Sequence, residues 1–233
     1  MRSVRENLQA VRERIARAAA AAGRDAGTVR LVAVSKAHPA ARIAEAHAAG
    51  QRAFGENYVQ EALEKMDALG ALDLEWHLVG PLQSNKTRLA AERFDWVQTL
   101  ASERIARRLS AQRPEGRAPL NVLVQVNVSG EATKSGVAPE AAAALAHAVA
   151  RLPNLRLRGL MGIPEPSAEP ALQRARFRAL RELFEELRRQ GLALDTLSMG
   201  MSDDMEAAIA EGATMVRIGT AIFGARARVR AVA

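Results

Sequence analysis

The chain has 233 residues, of which 48% are hydrophobic and 25% charged, with a formal net charge of +7 and no cysteine. The absence of cysteine excludes disulfides, thiolate catalysis and cysteine-based zinc sites. The longest apolar runs fall well short of the roughly 18 residues that a membrane span needs, and the charged N-terminus lacks the apolar stretch of a signal peptide. We therefore expect a cytoplasmic protein with no membrane partner.

The positive net charge raises the question of nucleic-acid binding. Only four of the 33 basic residues are lysine, and the arginines are spread along the helical segments with acidic residues between them. Aromatic residues make up 3% of the chain, so few side chains could stack on bases. We therefore predict no nucleic-acid partner, and the scarcity of lysine makes each lysine more informative.

Short apolar segments alternate with segments of helical periodicity along the chain. Val4, Leu8, Val11 and Ile15 recur with helical spacing and predict a leading amphipathic helix. Eight apolar runs then predict strands, at 29–36, 52–57, 74–80, 96–100, 121–129, 155–163, 196–202 and 215–224. Helical patterns separate these runs, as the βαβ units of a parallel sheet require.

Eight such units predict an α/β protein with a single (β/α)8 TIM barrel over 1–233 and an extra N-terminal helix. The alternative is an open, doubly wound sheet, whose first strand usually leads into a glycine-rich turn. The first predicted strand here ends in the segment SKAHP (35–39), which contains no glycine and favours the barrel.

In a TIM barrel, functional side chains gather at the carboxyl ends of the strands. The predicted strand ends carry the polar residues Lys36, Glu56, Asn57, His77, Thr99, Asn127, Ser202, Arg217 and Thr220. Lys36 is notable because lysine is rarely found fully buried. A partly desolvated amine loses its proton more easily and can form a Schiff base with an aldehyde. The alternative is a lysine whose ammonium group simply reaches out of the strand mouth.

The last two predicted strands end in residues suited to a phosphate group. Ser202 is a predicted helix N-cap with Asp203 and Asp204 in the first turn, and Gly219 and Thr220 open another short helix. Loops after the seventh and eighth strands form the phosphate site that recurs in TIM barrels. The two loops favour a ligand with a phosphate group, and the strand-end lysine opposite them favours a ligand with an aldehyde. Pyridoxal 5′-phosphate (PLP) carries both groups.

The histidines support weaker interpretations. His77 is predicted to lie either at the rim of the barrel or in the core, with equal weight. His47 and His147 lie in alanine-rich helical segments and are interpreted as structural. No spacing of histidine, aspartate and glutamate indicates a metal site.

Two further lysines and one glutamate are also candidates. Lys134 is interpreted as a loop residue, with a second amine near the rim as the alternative, and Lys86 is predicted to begin a helix near the barrel mouth. Glu56 precedes Asn57 directly and is a candidate partner that supports the site from behind.

Seven segments stand out along the chain, namely SKAHP, FGENYVQEALEK, WHLVGPLQSNK, VNVSGEATKSG, LRGLMGIP, LSMGMSDDMEAAI and VRIGTAIFG. Together these segments resemble the YggS/PROSC family, the pyridoxal phosphate homeostasis proteins. They run from the first predicted strand to the last, and the resemblance implies a fold-type III barrel similar to the N-terminal barrel of alanine racemase. Ala37 and His38 stand where the family often has a threonine and a basic residue, but Lys36 is retained.

The resemblance also implies roles for individual residues. Lys36 would carry PLP as an internal aldimine, and Arg217 would face the pyridine nitrogen. Because a guanidinium group cannot accept a proton, that nitrogen would stay unprotonated and the cofactor would be a weak electron sink. The remaining implied binding residues are Ser202, Gly219 and Thr220 for the phosphate and Asn57, Met199 and Gly200 around the ring.

These inferences favour a PLP carrier over an enzyme. Racemisation needs an acid–base group on each face of the Cα–H bond, and Lys36 supplies one face. The only tyrosine, Tyr58, follows Asn57 and does not obviously serve the other face. We predict a monomeric protein that buffers PLP and passes it to apo-enzymes. A PLP-dependent amino-acid racemase of weak activity is the alternative, and an aldolase-type use of Lys36 on a sugar phosphate ranks below both.

Overall fold

Eight parallel strands alternate with helices along the chain. The computed structural model describes residues 2–129 and 135–225. The strands are β1 (Arg30–Val34), β2 (Ala53–Glu56), β3 (Glu75–Leu78), β4 (Trp96–Leu100), β5 (Leu120–Val126), β6 (Leu155–Gly162), β7 (Thr196–Ser198) and β8 (Met215–Ile218). The helices are α1 (Val4–Ala21), α2 (Ala40–Ala48), α3 (Val59–Ala68), α4 (Thr87–Arg93), α5 (Glu103–Gln112), α6 (Pro139–Ala150), α7 (Pro170–Arg189), α8 (Met205–Ala210) and α9 (Thr220–Phe223). Within the described ranges, none of these helices combines the length and apolarity that crossing a bilayer requires.

The strands form a closed barrel in which each strand pairs with the next and β8 pairs with β1. The closing register places Val32 opposite Arg217 and Ala33 opposite Ile218. Because the strands are parallel, all their carboxyl ends lie at the same end of the barrel. The residues that follow β1 and β8 therefore meet there, and the predicted TIM barrel is confirmed.

Except for β4, which matches the predicted run 96–100, the observed strands are shorter than the predicted apolar runs. β1 ends at Val34 rather than at residue 36, and β7 ends at Ser198 rather than at residue 202. Gly200 has a φ of +96°, a conformation that glycine adopts readily, and it turns the chain away from β7. The apolar runs continue past the strands because residues such as Met199, which follows the last residue of β7, remain fully buried.

The predicted N-terminal helix is confirmed as α1, which lies outside the eight repeating units. The buried residues Val4, Leu8, Val11, Ile15 and Ala19 form one face of this helix. A capping box begins the helix, since Ser3 and Glu6 bond each other's backbone N–H groups.

Polar side chains of α1 also hold the loops that follow β7 and β8. Asn7 Nδ2 donates to the Ile222 carbonyl at 2.9 Å, and Arg14 Nη2 donates to the Ser202 carbonyl at 3.0 Å. Arg14 also forms a salt bridge of 2.8 Å with Glu206 in α8. The additional helix therefore braces two of the loops at the carboxyl end of the barrel.

The interior of the barrel divides into an apolar and a polar part. Six strands each contribute one residue to an apolar cluster separate from the main core, namely Val32, Ala53, Trp96, Leu123, Met161 and Met215. The other two strands, β3 and β7, contribute the fully buried polar residues His77 and Ser198. Side chains alternate between the inside and the outside of a barrel strand, so these residues fill the interior.

A buried carboxylate joins the end of α8 to the long helix α7. Glu211 is only 1% exposed, and Arg174, Arg178 and Arg181 surround it with N–O distances of 2.8 to 3.1 Å. Burial acts to raise the pKa of Glu211, but the hydrogen bonds from Arg178 and Arg174 outweigh burial and hold that pKa below its usual range.

We expect Glu211→Gln to lower the free energy of unfolding by roughly 1 to 3 kcal/mol at neutral pH, because the charge-assisted hydrogen bonds are lost. The folded-state pKa lies below the ordinary value of 4.5, so the ionised carboxylate stabilises the fold fully above that value. This contribution is lost as the pH falls through the folded-state pKa. Urea unfolding at several pH values measures both effects.

The matched control is Glu185→Gln, which changes an exposed carboxylate on α7 that lies 3.7 Å from Arg181. We expect this control to change the free energy of unfolding little. Equal losses in the two variants, or an unchanged dependence on acid pH in Glu211→Gln, would contradict the assignment.

Candidate functional site

A cavity of about 230 Å³ opens at the carboxyl end of the barrel, between the segments that follow β1 and β8. It is lined by Val34, Lys36, Asn57, Val79, Ile163, Met201, Ser202, Asp203, Arg217, Gly219 and Thr220. The lining thus combines two cations, one carboxylate, one carboxamide and two hydroxyl groups with apolar walls. Its cations outnumber its carboxylate, which suits an anionic ligand.

The structure brings six of the eight predicted site residues to this cavity, namely Lys36, Asn57, Ser202, Arg217, Gly219 and Thr220. Met199 is not among the lining residues, because its side chain is buried in the main hydrophobic core. Gly200 lies behind the lining, where its carbonyl accepts the backbone N–H of Arg217 at 3.0 Å. A Cβ atom at Gly200 would lie 2.6 Å from the Cβ of Ala208, so a larger residue does not fit there.

Sequence reasoning missed the other five lining residues, Val34, Val79, Ile163, Met201 and Asp203. Val34 could have been found, because alternate side chains of a strand face the same side and Val34 precedes Lys36 by two residues. The other four lie on loops beyond β3, β6 and β7, where no periodic pattern indicates the direction of a side chain.

Lys36 follows a serine that is tied to a buried ion pair. Ser35 Oγ donates to Glu56 Oε1 at 2.6 Å, and Lys65 Nζ donates to the same oxygen at 2.7 Å. Lys65 Nζ also donates to the Ser35 carbonyl at 2.9 Å. Because side chains alternate along the chain, Ser35 faces this ion pair while Lys36 faces the cavity. Glu56, at the end of β2 as predicted, therefore supports the backbone at Lys36 on the neighbouring strand β1.

The residue after Lys36 is held by the same group of charges. Ala37 has a φ of +60°, which costs free energy for a residue with a Cβ atom. Its N–H donates to Glu61 Oε1 at 2.6 Å, and that oxygen also accepts from Lys65 Nζ at 2.7 Å. We call Glu56, Glu61 and Lys65 the Lys65 cluster. It fixes the chain on both sides of Lys36.

The Lys65 cluster carries two carboxylates for one cation. Glu56 is fully buried, and its Oε2 has no hydrogen-bond partner among the described residues. Burial raises the pKa of Glu56, and the hydrogen bonds from Lys65 and Ser35 oppose this shift without cancelling it. Sequence reasoning missed Lys65, although Glu61 and Lys65 stand four residues apart on a helix, a spacing that favours an ion pair.

We expect Lys65→Met to destabilise the fold by about 3 to 5 kcal/mol, because it leaves the buried Glu56 carboxylate without a cation. Thermal or urea unfolding measures the loss. The double variant Lys65→Met/Glu56→Gln should recover part of it, since the unpaired charge is then removed.

Lys86→Met is the matched control, because Lys86 lies half-buried in a short turn before α4, outside both the Lys65 cluster and the cavity lining. A loss in Lys65→Met no larger than in Lys86→Met would show that the cluster does not stabilise β1 and β2.

Asn57 reaches the cavity because the loop after β3 contains a glycine. A Cβ atom on Gly80 would lie 2.2 Å from the Asn57 carbonyl oxygen, so only glycine permits the two backbones to approach this closely. Thr99 Oγ1 donates to the Gly80 carbonyl at 2.8 Å and fixes the loop from the other side.

The prediction that Ser202 is the N-cap of a helix is wrong. α8 begins at Met205, so Ser202 and Asp203 lie in the preceding turn and Asp204 takes the N-cap position without a side-chain bond to the helix. The Asp204 side chain turns back instead, and its Oδ1 accepts the Met201 N–H at 2.6 Å. Burial raises the pKa of Asp204, opposed by that hydrogen bond and by the charge of Arg217.

Arg217 is 4% exposed and points from β8 toward the cavity. Its Nη1 donates to Ser198 Oγ at 2.6 Å and its Nη2 to the Gly162 carbonyl at 3.0 Å. Burial lowers the pKa of Arg217 to about 10, so the guanidinium group is still charged at neutral pH. Such a group offers hydrogen-bond donors only.

The two residues after β8 complete the cavity wall. A Cβ atom on Gly219 would lie 3.1 Å from the Val34 carbonyl oxygen, so the glycine lets the end of β8 approach β1 closely. Thr220 begins the four-residue helix α9 and is exposed.

The structure decides between the two interpretations of His77 in favour of the core. His77 is fully buried, its ring stacks on that of Trp96 at a centroid distance of 5.2 Å, and its Nε2 lies 2.5 Å from Glu75 Oε1. Burial lowers the pKa of His77, although the neighbouring Glu75 carboxylate opposes that shift.

The remaining candidates lie away from the cavity lining. His47 is in the last turn of α2, and His147 in α6 lies 3.0 Å from Gln190 Oε1. Lys86 directly precedes α4, as predicted. Lys134 lies outside the described residues. Across 2–129 and 135–225, no three histidine, aspartate or glutamate side chains stand close enough to hold a metal ion.

Comparisons with known proteins agree with this architecture. Residues 7–227 match the family model of the alanine racemase N-terminal domain. The pyridoxal phosphate homeostasis protein of Pseudomonas aeruginosa is 64% identical over 226 residues, which cover 97% of both chains. The protein of the same name from Escherichia coli K12 is 55% identical over 229 residues, 97% of this chain and 98% of that one.

Solved structures show the same relationship. The structure of PipY from Synechococcus elongatus with PLP bound superposes with a TM-score of 0.83 at 41% identity, covering 95% of this chain and all of PipY. Alanine racemase of Clostridium difficile shares the fold, with a TM-score of 0.75 at 15% identity, and this chain covers 56% of it. From the barrel, the family model and these near full-length relatives, we conclude that the chain belongs to the family of the pyridoxal phosphate homeostasis proteins, whose barrel is that of the alanine racemase N-terminal domain.

Proposed function

We propose that this protein binds PLP in the cavity at the carboxyl end of the barrel and acts as a carrier of the cofactor. The observation that carries the proposal is the convergence of Lys36, Arg217 and the hydroxyl groups of Ser202 and Thr220 on a single cavity. Support also comes from PipY, whose structure holds PLP and which covers nearly the whole of this chain.

The cavity lining fits the chemical groups of PLP. A phosphorylated aldehyde on an aromatic ring needs an amine, donors for the phosphate and apolar walls for the ring faces. Lys36 supplies the amine, Ser202 and Thr220 supply hydroxyl donors, and Val34 and Val79 supply apolar walls. Within the part of the chain that the structure describes, the lining holds one carboxylate, that of Asp203. It is exposed to water, which screens its charge.

Lys36 is the proposed point of covalent attachment. When its amine condenses with the PLP aldehyde, a C=N bond replaces the C=O bond and the aldehyde oxygen leaves as water. The bound cofactor supplies an electron sink for carbanions. The Lys65 cluster holds the backbone of Ser35 and Ala37, so Lys36 is presented from a rigid segment rather than from a mobile loop.

Arg217 limits what such a site can catalyse. In this proposal the guanidinium group faces the pyridine nitrogen, and because it is charged it repels a proton from that position. An unprotonated ring withdraws fewer electrons, so deep carbanion chemistry is disfavoured.

The lining also lacks a strong second base. Tyr58 is 64% exposed and is not among the lining residues. Among the described lining residues, Asp203 carries the only carboxylate and Lys36 the only amine. A solvent-exposed carboxylate is a much weaker base than an amine or a phenolate. These features favour the carrier over the weak racemase.

The purified protein with PLP should show a visible absorption band that Lys36→Ala lacks, because Lys36 is the only lysine among the described residues that line this cavity. Lys86→Ala is the matched control, since Lys86 lies outside the lining, and it should keep the band. A wild-type protein that keeps no absorption band once unbound PLP has been removed, or a band that survives in Lys36→Ala but not in Lys86→Ala, would overturn the proposal.

The carrier role predicts that PLP-loaded protein restores activity to an apo-form of a PLP-dependent enzyme while racemising free amino acids at a negligible rate. Chiral chromatography of alanine and serine measures racemisation, and reactivation of the apo-enzyme measures transfer. Rapid racemisation without transfer would favour the alternative, a racemase.

A further inference from the structure

A continuous line of hydrogen bonds crosses the interior of the barrel behind Arg217. Arg217 Nη1 bonds Ser198 Oγ at 2.6 Å, and Ser198 Oγ bonds Gln98 Oε1 at 2.7 Å. Gln98 Nε2 lies 2.9 Å from His77 Nδ1, and His77 Nε2 lies 2.5 Å from Glu75 Oε1. We call Glu75, His77, Gln98 and Ser198 the interior chain. None of them is a residue of the cavity lining.

Each link of the interior chain has only one consistent direction. The Arg217 guanidinium can only donate, so Ser198 Oγ accepts from it and must place its own O–H on Gln98 Oε1. The amide nitrogen of Gln98 therefore faces His77 and donates to Nδ1. His77 is then neutral, carries its proton on Nε2, and donates to the Glu75 carboxylate.

The reverse orientation leaves a polar group without a partner. With the Gln98 amide turned over, its nitrogen and Arg217 would both donate to Ser198 Oγ. The fully buried Ser198 hydroxyl would then lose Gln98 Oε1 as its acceptor, and a buried donor left without an acceptor costs free energy. The observed direction is therefore the stable one.

The far end of the interior chain is anchored by charge. Arg30 Nη2 forms a salt bridge of 2.8 Å with Glu75 Oε1, at the amino end of the barrel where both side chains are partly exposed. His77, Gln98 and Ser198 are each 0% exposed, so they have little freedom to change partners. The interior chain thus runs from a surface ion pair to Arg217, which lines the cavity at the opposite end of the barrel.

We propose that the interior chain positions the Arg217 guanidinium for the bound PLP, and this rests on the function proposed above. Ser198 Oγ accepts a hydrogen bond from Arg217 Nη1, and the Gly162 carbonyl accepts one from Nη2. Together these two hydrogen bonds fix the plane of the guanidinium group. The remaining N–H groups then keep one orientation relative to the cavity. Gln98, His77 and Glu75 act as positioning residues, since they hold Ser198 in its accepting role.

The test compares PLP affinity and the visible spectrum of the PLP complex in the wild type, Ser198→Ala and Gln98→Met. Ser198→Ala should weaken PLP binding roughly tenfold, because Arg217 loses a charge-assisted hydrogen bond that orients it. It should also shift the absorption band, because the environment of the pyridine nitrogen changes. Gln98→Met should cause a smaller shift in the same direction, although Gln98 does not line the cavity.

Ser110→Ala is the matched control. Ser110 is equally a buried serine, and its Oγ donates to the Pro153 carbonyl away from the cavity. This variant loses one buried hydroxyl hydrogen bond but should keep the wild-type affinity and spectrum. Should Ser198→Ala not fold, Gln98→Met alone decides the outcome.

Nitrogen-15 NMR of the histidines gives a readout without PLP. The chain contains four histidines, and the His77 signals, assigned with His77→Phe, should report a neutral ring with its proton on Nε2. A His77 ring protonated on Nδ1 would overturn the hydrogen-bond direction assigned to the interior chain.

The remaining outcomes separate this proposal from the function on which it rests. Wild-type affinity and spectrum in both Ser198→Ala and Gln98→Met, or equal losses in Ser110→Ala, would overturn the positioning role while PLP binding stands. If the wild-type protein binds no PLP, the proposed function itself is overturned, and the positioning role is overturned with it.

Discussion

The pairing of β8 with β1 is the constraint on which the site depends. Lys36 and Arg217 lie near opposite ends of the sequence, and only the closure of the barrel brings the ends of these two strands together. Parallel pairing also puts every strand's carboxyl end on one side, so the loops after β2, β3, β6 and β7 converge on the same cavity. Gly219 makes the closure tight, because a Cβ atom there would press on the Val34 carbonyl.

Buried charges near this end of the barrel are hydrogen-bonded by nearby groups. Lys65 stands between two carboxylates and the Ser35 carbonyl, and Arg217 is bonded to Ser198 and Gly162. Uncompensated charge in a low-dielectric interior would cost several kcal/mol, so each cluster specifies one arrangement of the elements it joins. The Lys65 cluster thereby fixes the backbone on both sides of Lys36. Ser198 and the Gly162 carbonyl, which lie outside the cavity lining, hold the guanidinium group of Arg217.

Most of the fold and about half of the cavity lining were predictable from the sequence. Apolar runs separated by helical periods predicted the eight units and the leading helix, because burial between two layers leaves a strong local pattern. Six predicted residues reached the cavity, since strand ends and glycine-containing loops can be read directly. The Ser202 N-cap was wrong because Asp204 bonds the turn rather than the helix. Such a choice between two nearby acceptors leaves no mark in residue type or spacing.

The sequence by itself determined the order of the elements, the barrel class and the position of the strand-end lysine. These follow from local periodicity and from the chemistry of a lysine placed after a buried strand. Only the tertiary structure decided which polar residues meet. His77 and Gln98 come from the paired strands β3 and β4, whereas Ser198 comes from β7, 100 residues beyond Gln98, and the strand register sets their contacts. The physical reason is that periodicity reports which face of an element is buried, whereas hydrogen-bond partners across a barrel depend on distances that no local pattern encodes.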